Sequence, residues 1–122
     1  MKYIKKFESI KVEKKKGVYV TNSEILSVID NLKEKDIKFM LLFGTDDDTD
    51  DECFLVLIEN DDYKKLKHTN DFGVKDYYIE INGNNVFFNW FIPEEIEGNW
   101  QIIRDTSKEN IETILNSKKY NI

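Results

Sequence analysis

The residues best suited to chemistry are six carboxylates in seven consecutive positions: Asp46, Asp47, Asp48, Asp50, Asp51 and Glu52. Like charges this close repel one another, so the segment destabilises the chain unless it is well solvated or meets a positive partner. Asp46, Asp48 and Asp50 match the first three ligand positions of an EF-hand calcium loop. The match then fails, because Asp51 stands where the loop needs glycine and Leu57 where it needs a bidentate glutamate.

Three interpretations of this acidic segment remain open. It is a solvated hairpin tip that discourages aggregation, a set of metal ligands in a small accessory or enzymatic domain, or a surface that binds a protein. In the third case the carboxylates imitate nucleic-acid phosphates and dock into a basic cleft, a complementarity that raises association rates to about 10⁸ to 10⁹ M⁻¹s⁻¹. We expect the protein-binding surface, with Glu94, Glu95 and Glu97 as a second acidic patch.

Catalytic patterns are weak in this sequence. Cys53 opens an apolar run, where a small hydrophobic residue is expected, and His68 lies in a lysine-rich polar stretch. The five glycines never take a phosphate-loop spacing. We therefore expect no enzyme activity, no catalytic residue, no cofactor and no resident metal.

Charge is distributed in blocks. Residues 1–20 carry seven lysines against two glutamates, whereas residues 46–62 carry nine acidic residues and no basic one. A total of −6 with a single arginine is unlike a nucleic-acid binder, so we expect no direct nucleic-acid partner. One cysteine, no long apolar run and no signal-like start predict a protein of the reducing cytoplasm without a membrane partner.

Alternating and helical patterns predict the elements that carry these residues. Residues 10–13 and 18–20 favour a hairpin across a turn at 14–17, and Thr21 to Glu24 form a capping-box pattern before a helix at about 22–35. Apolar runs at 37–43 and 53–58 predict the central pair of strands, which makes the acidic segment the connection between them.

The second half of the chain predicts a similar mixture. Residues 61–76 are expected to be irregular apart from one helical turn at 63–66. Strands at 77–81 and 86–92 flank an Asn-Gly turn, 100–103 adds a short strand, and a second capping box precedes a helix at 107–118. The whole chain, 1–122, is predicted to be one α+β domain with a mainly antiparallel sheet of five or six strands and two helices.

Aromatic side chains on the predicted sheet have two interpretations. Most are expected to pack beneath a helix. As interface anchors, a role aromatic residues often have, the candidates are Tyr63, Tyr78, Phe87, Phe91 and Trp100.

Small size, acidity, one α+β domain, no catalytic motif and a composition biased to AT-rich codons occur together here. The chain has no alanine, but 17 lysines, 15 isoleucines and 12 asparagines. In these features it resembles the immunity proteins of bacterial toxin systems, especially those of contact-dependent growth inhibition. The resemblance implies a cytoplasmic protein that neutralises a cognate toxin domain, often a nuclease, by covering its active site. A phage-type nucleic-acid mimic is a further alternative.

Overall fold

The computed structural model describes residues 15–46, 52–59, 61–91 and 98–120, which form an α+β fold. In chain order the elements are β1 (Lys15–Val20), α1 (Ile25–Glu34), β2 (Phe39–Asp46), β3 (Glu52–Ile58), a 3-10 turn (Asp62–Lys65), β4 (Lys67–Asp71), β5 (Val74–Ile81), β6 (Asn84–Phe91), β7 (Gly98–Ile103) and α2 (Lys108–Tyr120).

The seven strands of the described residues form one antiparallel sheet in the order β4-β5-β6-β1-β3-β2-β7. The predicted α+β class with two helices is confirmed, whereas the predicted count of five or six strands is wrong. The strand that the sequence analysis did not anticipate is β4, which lies in a stretch expected to be irregular.

The structure of β4 explains why it was missed. Its sequence, KHTND, has no apolar residue, so no alternation marks it as a strand. It is an edge strand that pairs with β5 from Lys67↔Tyr78 to Asp71↔Val74, and Lys67 forms an ion pair with Glu80 of β5. Backbone pairing and this exposed contact hold β4 in place, so burial of its own side chains is not needed.

Strand β1 also differs from the prediction. Lys15, Lys16 and Gly17 were expected in a turn, yet they lie in a strand that pairs with β3 on one edge and β6 on the other. Because both edges are occupied at Lys16 and Gly17, no hairpin partner can pair with them there. The other predicted half of that hairpin, residues 10–13, lies outside the described residues.

Helix α1 packs one apolar stripe, Ile25, Val28, Ile29 and Leu32, against the sheet. The helix is confirmed, although it begins at Ile25, three residues after the predicted start. The Thr21 hydroxyl contacts the Glu24 carboxylate at 3.3 Å, and no side chain caps the first turn. The predicted capping box is therefore not formed in its usual geometry.

Strands β2 and β3 pair as antiparallel neighbours, as predicted, from Phe39↔Ile58 to Thr45↔Glu52. The middle strand of the seven is β1 rather than either member of this pair. The β5-β6 hairpin is also confirmed, and its turn is tighter than expected. Asn82 and Gly83 have φ of 52° and 83°, the positive values that a two-residue type I′ turn requires.

The carboxyl-terminal elements agree with the prediction. Strand β7 extends to Gly98, and α2 begins at Lys108. The Ser107 hydroxyl accepts a hydrogen bond from the Asn110 backbone N–H at 3.3 Å, which caps the first turn of α2.

Two apolar clusters stabilise the sheet. The larger lies between the sheet and both helices, and its fully buried members include Phe54, Val56, Ile79, Phe88 and Ile111. The smaller lies on the opposite face of the sheet because neighbouring strand residues alternate in direction. It comprises Leu42, Leu55, Leu57 and Trp100.

Candidate functional site

The acidic segment 46–52 joins two paired strands. Of its carboxylate residues, Asp46 ends β2 and Glu52 begins β3, while Asp47, Asp48, Asp50 and Asp51 lie outside the described residues. The register Thr45↔Glu52 fixes both ends of this connection at one end of the sheet. The predicted hairpin connection is therefore confirmed at its two bases.

The second acidic patch joins the sheet at the same place. Glu94, Glu95 and Glu97 lie outside the described residues, but the next residue in the chain, Gly98, pairs with Asp46 of β2. We call the meeting point of Asp46, Glu52 and Gly98 the acidic end of the sheet.

The strands that carry the acidic end are firmly packed. Phe43 of β2 and Phe54 of β3 are in contact, with ring centroids 4.6 Å apart and ring planes tilted by 47°, and Leu42 and Leu55 are fully buried on the other face. Both faces of the β2-β3 pair are thus covered close to the acidic end. The bases of the acidic connection are fixed by core packing as well as by the backbone ladder.

Positive residues lie at the other end of the same strands. Lys15 starts β1, Lys38 immediately precedes β2 and Arg104 immediately follows β7. β2 is 8 residues long, so the two ends are separated by about 23 Å along the strand. Lys15 and Lys16 are therefore remote from the acidic end and do not neutralise it by direct contact.

Cys53 and His68 do not form a nucleophile–base pair. Cys53 packs with the smaller apolar cluster. His68, on β4, pairs with Tyr77 of β5, and the centroids of the two rings lie 5.6 Å apart. The two residues lie on opposite faces of the sheet, four strand positions apart, which is about 19 Å along the sheet. The distance excludes hydrogen bonding between them.

The aromatic candidates have different environments. Trp100 is 3% exposed and packs in the smaller cluster, so it is not available as an anchor. Tyr78 and Phe87 lie on the sheet face opposite the helices, with ring centroids 5.3 Å apart, and Phe87 is 37% exposed. Tyr63 is partly buried, and the side chain of Phe91 lies outside the described residues.

Lys16 is a chemically notable residue that the sequence analysis missed. It is only 5% exposed, and its Nζ lies 5.1 Å and 5.2 Å from the ring centroids of Tyr63 and Tyr77. Burial lowers the pKa of Lys16, and the carboxylate of Asp76 partly opposes that shift. The signal was available, because Lys16 shares its strand face with Val18 and Val20, both of which contact the main core.

Among the described residues, no three His, Cys, Asp or Glu side chains are grouped closely enough to hold a metal ion. No helix within the described ranges is long and apolar enough to cross a membrane. Comparison with protein-family models, with curated proteins and with solved structures finds no match. Inference about function therefore depends on the chain's own geometry and charge.

Proposed function

We propose that this protein is a cytoplasmic, non-enzymatic immunity protein that binds a cognate toxin domain, a nuclease by preference, and covers its basic active-site cleft with the acidic end of the sheet. The observation that carries the proposal is the register that sets Thr45 opposite Glu52 and Asp46 opposite Gly98. Two acidic segments that are distant in sequence are thereby anchored at one place.

Electrostatics supports this role. The acidic segment and the patch at 94–97 together carry nine carboxylates, and the acidic end of the sheet is held by the pairing of β2 with both β3 and β7. A nuclease cleft must attract the negative phosphates of its substrate, so it is positively charged and complementary to these carboxylates. Complementary fields of this kind mainly accelerate association, and salt weakens them because the Debye length is about 8 Å at physiological ionic strength.

The test uses the carboxyl-terminal domain of the protein encoded immediately upstream, which this proposal requires to be a toxin. Purified wild-type protein is expected to inhibit that domain stoichiometrically. The variant Asp47→Lys, Asp48→Lys, Asp50→Lys is expected to associate at least about tenfold more slowly at low salt. Its melting temperature is expected to stay level or rise, because self-repulsion is relieved.

A matched control carries the same change of charge elsewhere. Asp30→Lys, Glu34→Lys, Glu112→Lys alters three exposed helical residues, and both triple variants take the net charge from −6 to 0. The control should retain most of the association rate. Equal slowing in both variants would show that net charge matters and the acidic end does not. An upstream protein that is not bound at all refutes the proposal.

Titration calorimetry with Ca²⁺, Mg²⁺ and Mn²⁺ distinguishes this proposal from the alternative in which the carboxylates are metal ligands. Micromolar binding at fixed stoichiometry would favour that accessory or enzymatic role. A phage-type nucleic-acid mimic would instead bind a DNA-binding protein of the host and ignore the upstream product.

A further inference from the structure

A groove of about 720 Å³ lies at the end of the sheet remote from the acidic end. Its walls come from the start of β1, the start of β2 and the chain that follows β7, with Lys15, Lys38 and Arg104 as its three cations. Its volume falls within the range of about 300 to 1,000 Å³ that is usual for small-molecule sites.

The groove carries an excess of positive charge. Glu59 is the one carboxylate among the described lining residues, so three cations against one anion leave a net charge of +2. None of Lys15, Lys38 and Arg104 forms an ion pair in the part of the chain that the structure describes. Cations gathered without counterions favour an anion in the space between them.

Two carboxylates beside the groove are engaged by other groups. Asp105, which follows Arg104 in the chain, accepts a hydrogen bond from the Ser107 backbone N–H at 3.0 Å. Asp62 uses Oδ2 to accept a hydrogen bond from the Lys38 backbone N–H at 2.7 Å, and its Oδ1 lies 3.7 Å from Lys65 Nζ. The opposite rim is also held, because Lys33 Nζ donates to the Thr106 carbonyl at 2.7 Å. These contacts fix the backbone on both sides of the groove, so its shape is largely set before a ligand arrives.

Apart from Thr106, the remaining lining is apolar. Phe39, Met40, Ile102 and Ile103 are all partly exposed there, at the ends of the paired strands β2 and β7. An inorganic anion would leave this surface in water, whereas a neutral apolar molecule would leave the cations without a partner. Both features are used together only by a ligand that joins an anionic head to an apolar body.

We propose that this groove binds a small amphiphilic anion, an alkyl or aryl carboxylate or phosphate, with its head near Lys38 and Arg104 and its apolar body against Met40 and Ile102. The site is independent of the proposed toxin contact, which lies at the other end of β2. Either proposal can therefore fail while the other holds.

The experiment is titration calorimetry of the full chain with octyl phosphate, butyl phosphate, octanoate, 1-octanol and inorganic phosphate, below the micellar concentration of each. Saturable one-to-one binding of octyl phosphate and octanoate is expected. Octyl phosphate should bind at least about tenfold more tightly than inorganic phosphate or 1-octanol. The affinity should rise from butyl to octyl by up to about fourfold for each buried methylene.

Variants locate the site. Lys38→Gln with Arg104→Gln should weaken octyl phosphate binding by at least about tenfold, since charge-assisted contacts are the stronger kind. The matched control, Lys67→Gln with Lys75→Gln, removes two exposed lysines of β4 and β5, at the edge of the sheet opposite β2 and β7, and should leave affinity unchanged. Thermal unfolding checks that each variant is folded.

Three outcomes overturn the proposal. The first is no saturable binding of octyl phosphate, and the second is equal weakening in the groove and control variants. The third is equal affinity for octyl phosphate and 1-octanol, which would mean that the cations take no part. A preference for phosphate over carboxylate at equal chain length would identify the head group and support the site.

Discussion

The buried ammonium of Lys16 should make the stability of this protein depend on pH in a predictable direction. Lys16→Met removes the charge, whose Nζ lies over the rings of Tyr63 and Tyr77, and keeps most of the buried apolar stem. The groups that act on Lys16 among the described residues include these two tyrosines and Asp76. Burial is the largest influence on the pKa of Lys16 and lowers it from 10.5.

The sign follows from proton binding. Between the lowered pKa and 10.5 the unfolded chain holds the Lys16 proton while the native protein has released it. The free energy of unfolding of the wild type therefore rises with pH across that interval, by at most about 1.4 kcal/mol per pH unit for a single proton. Below the interval both states are protonated and this contribution does not change.

The assay is urea unfolding followed by tryptophan fluorescence, at several pH values from 7 to 10.5, for the wild type and Lys16→Met. Titration of the groups that do not interact with Lys16 is common to both proteins and cancels in the difference between them. That difference should move in favour of the wild type as pH rises. Lys75→Met, at an exposed position on β5, should show no such trend.

A difference that is constant with pH, or that moves against the wild type, would refute the reasoning. It would mean that the tyrosine rings stabilise the ammonium at least as much as burial penalises it. Lys16→Ala tests the packing of the stem. It removes three further buried heavy atoms and should be less stable than Lys16→Met by about 2 kcal/mol, or about 8 °C in melting temperature for a chain of this length.

Three further substitutions test the fold. Gly83→Ala should lower the free energy of unfolding by about 1 kcal/mol through backbone strain alone, because φ is +83° and an added Cβ would meet nothing within 4 Å. Thermal unfolding measures this loss, and an unchanged midpoint would contradict the turn geometry. Ser107→Ala should cost about 1 kcal/mol by leaving the Asn110 N–H without its cap, while Ser107→Asp should retain stability. Ile111→Ala should lower the free energy of unfolding by about 2 to 5 kcal/mol, because Ile111 is fully buried where α2 meets the sheet. If chemical denaturation shows a loss below about 1 kcal/mol, α2 is only loosely packed on the sheet.

Much of the fold could be predicted where local signals and burial agree. The apolar runs that became β2 and β3 are buried on both faces, and Asn82-Gly83 has the chemistry that a type I′ turn demands. Strand β4 could not be predicted, because its pairing with β5 depends on backbone hydrogen bonds that no side-chain pattern reports. Lys15 to Gly17 looked like a turn in the sequence. In the structure Gly17 is buried and pairs with Leu57 of β3 on one side and Asn89 of β6 on the other.

The candidate site, like the fold, could be predicted from the sequence only in part. The carboxylates at 46–52 were evident from composition, and the pairing of the two apolar strands followed from their lengths. The chain that follows the patch at 94–97 enters the sheet beside Asp46 because β7 pairs with β2. This pairing joins residues 52 positions apart, so no local sequence pattern predicted it. The groove cations Lys15, Lys38 and Arg104 come from three separate segments and share no sequence motif.

The sheet separates its charges lengthwise, with acidic segments anchored at one end of β2 and cations at the other. Among the described residues, these charges contribute an electric dipole along the strands. The field of a cationic protein exerts a torque on that dipole before the two surfaces touch, so the chain turns its negative pole forward as it diffuses inward. Alignment during approach shortens the rotational search, which otherwise limits how quickly two specific patches can meet.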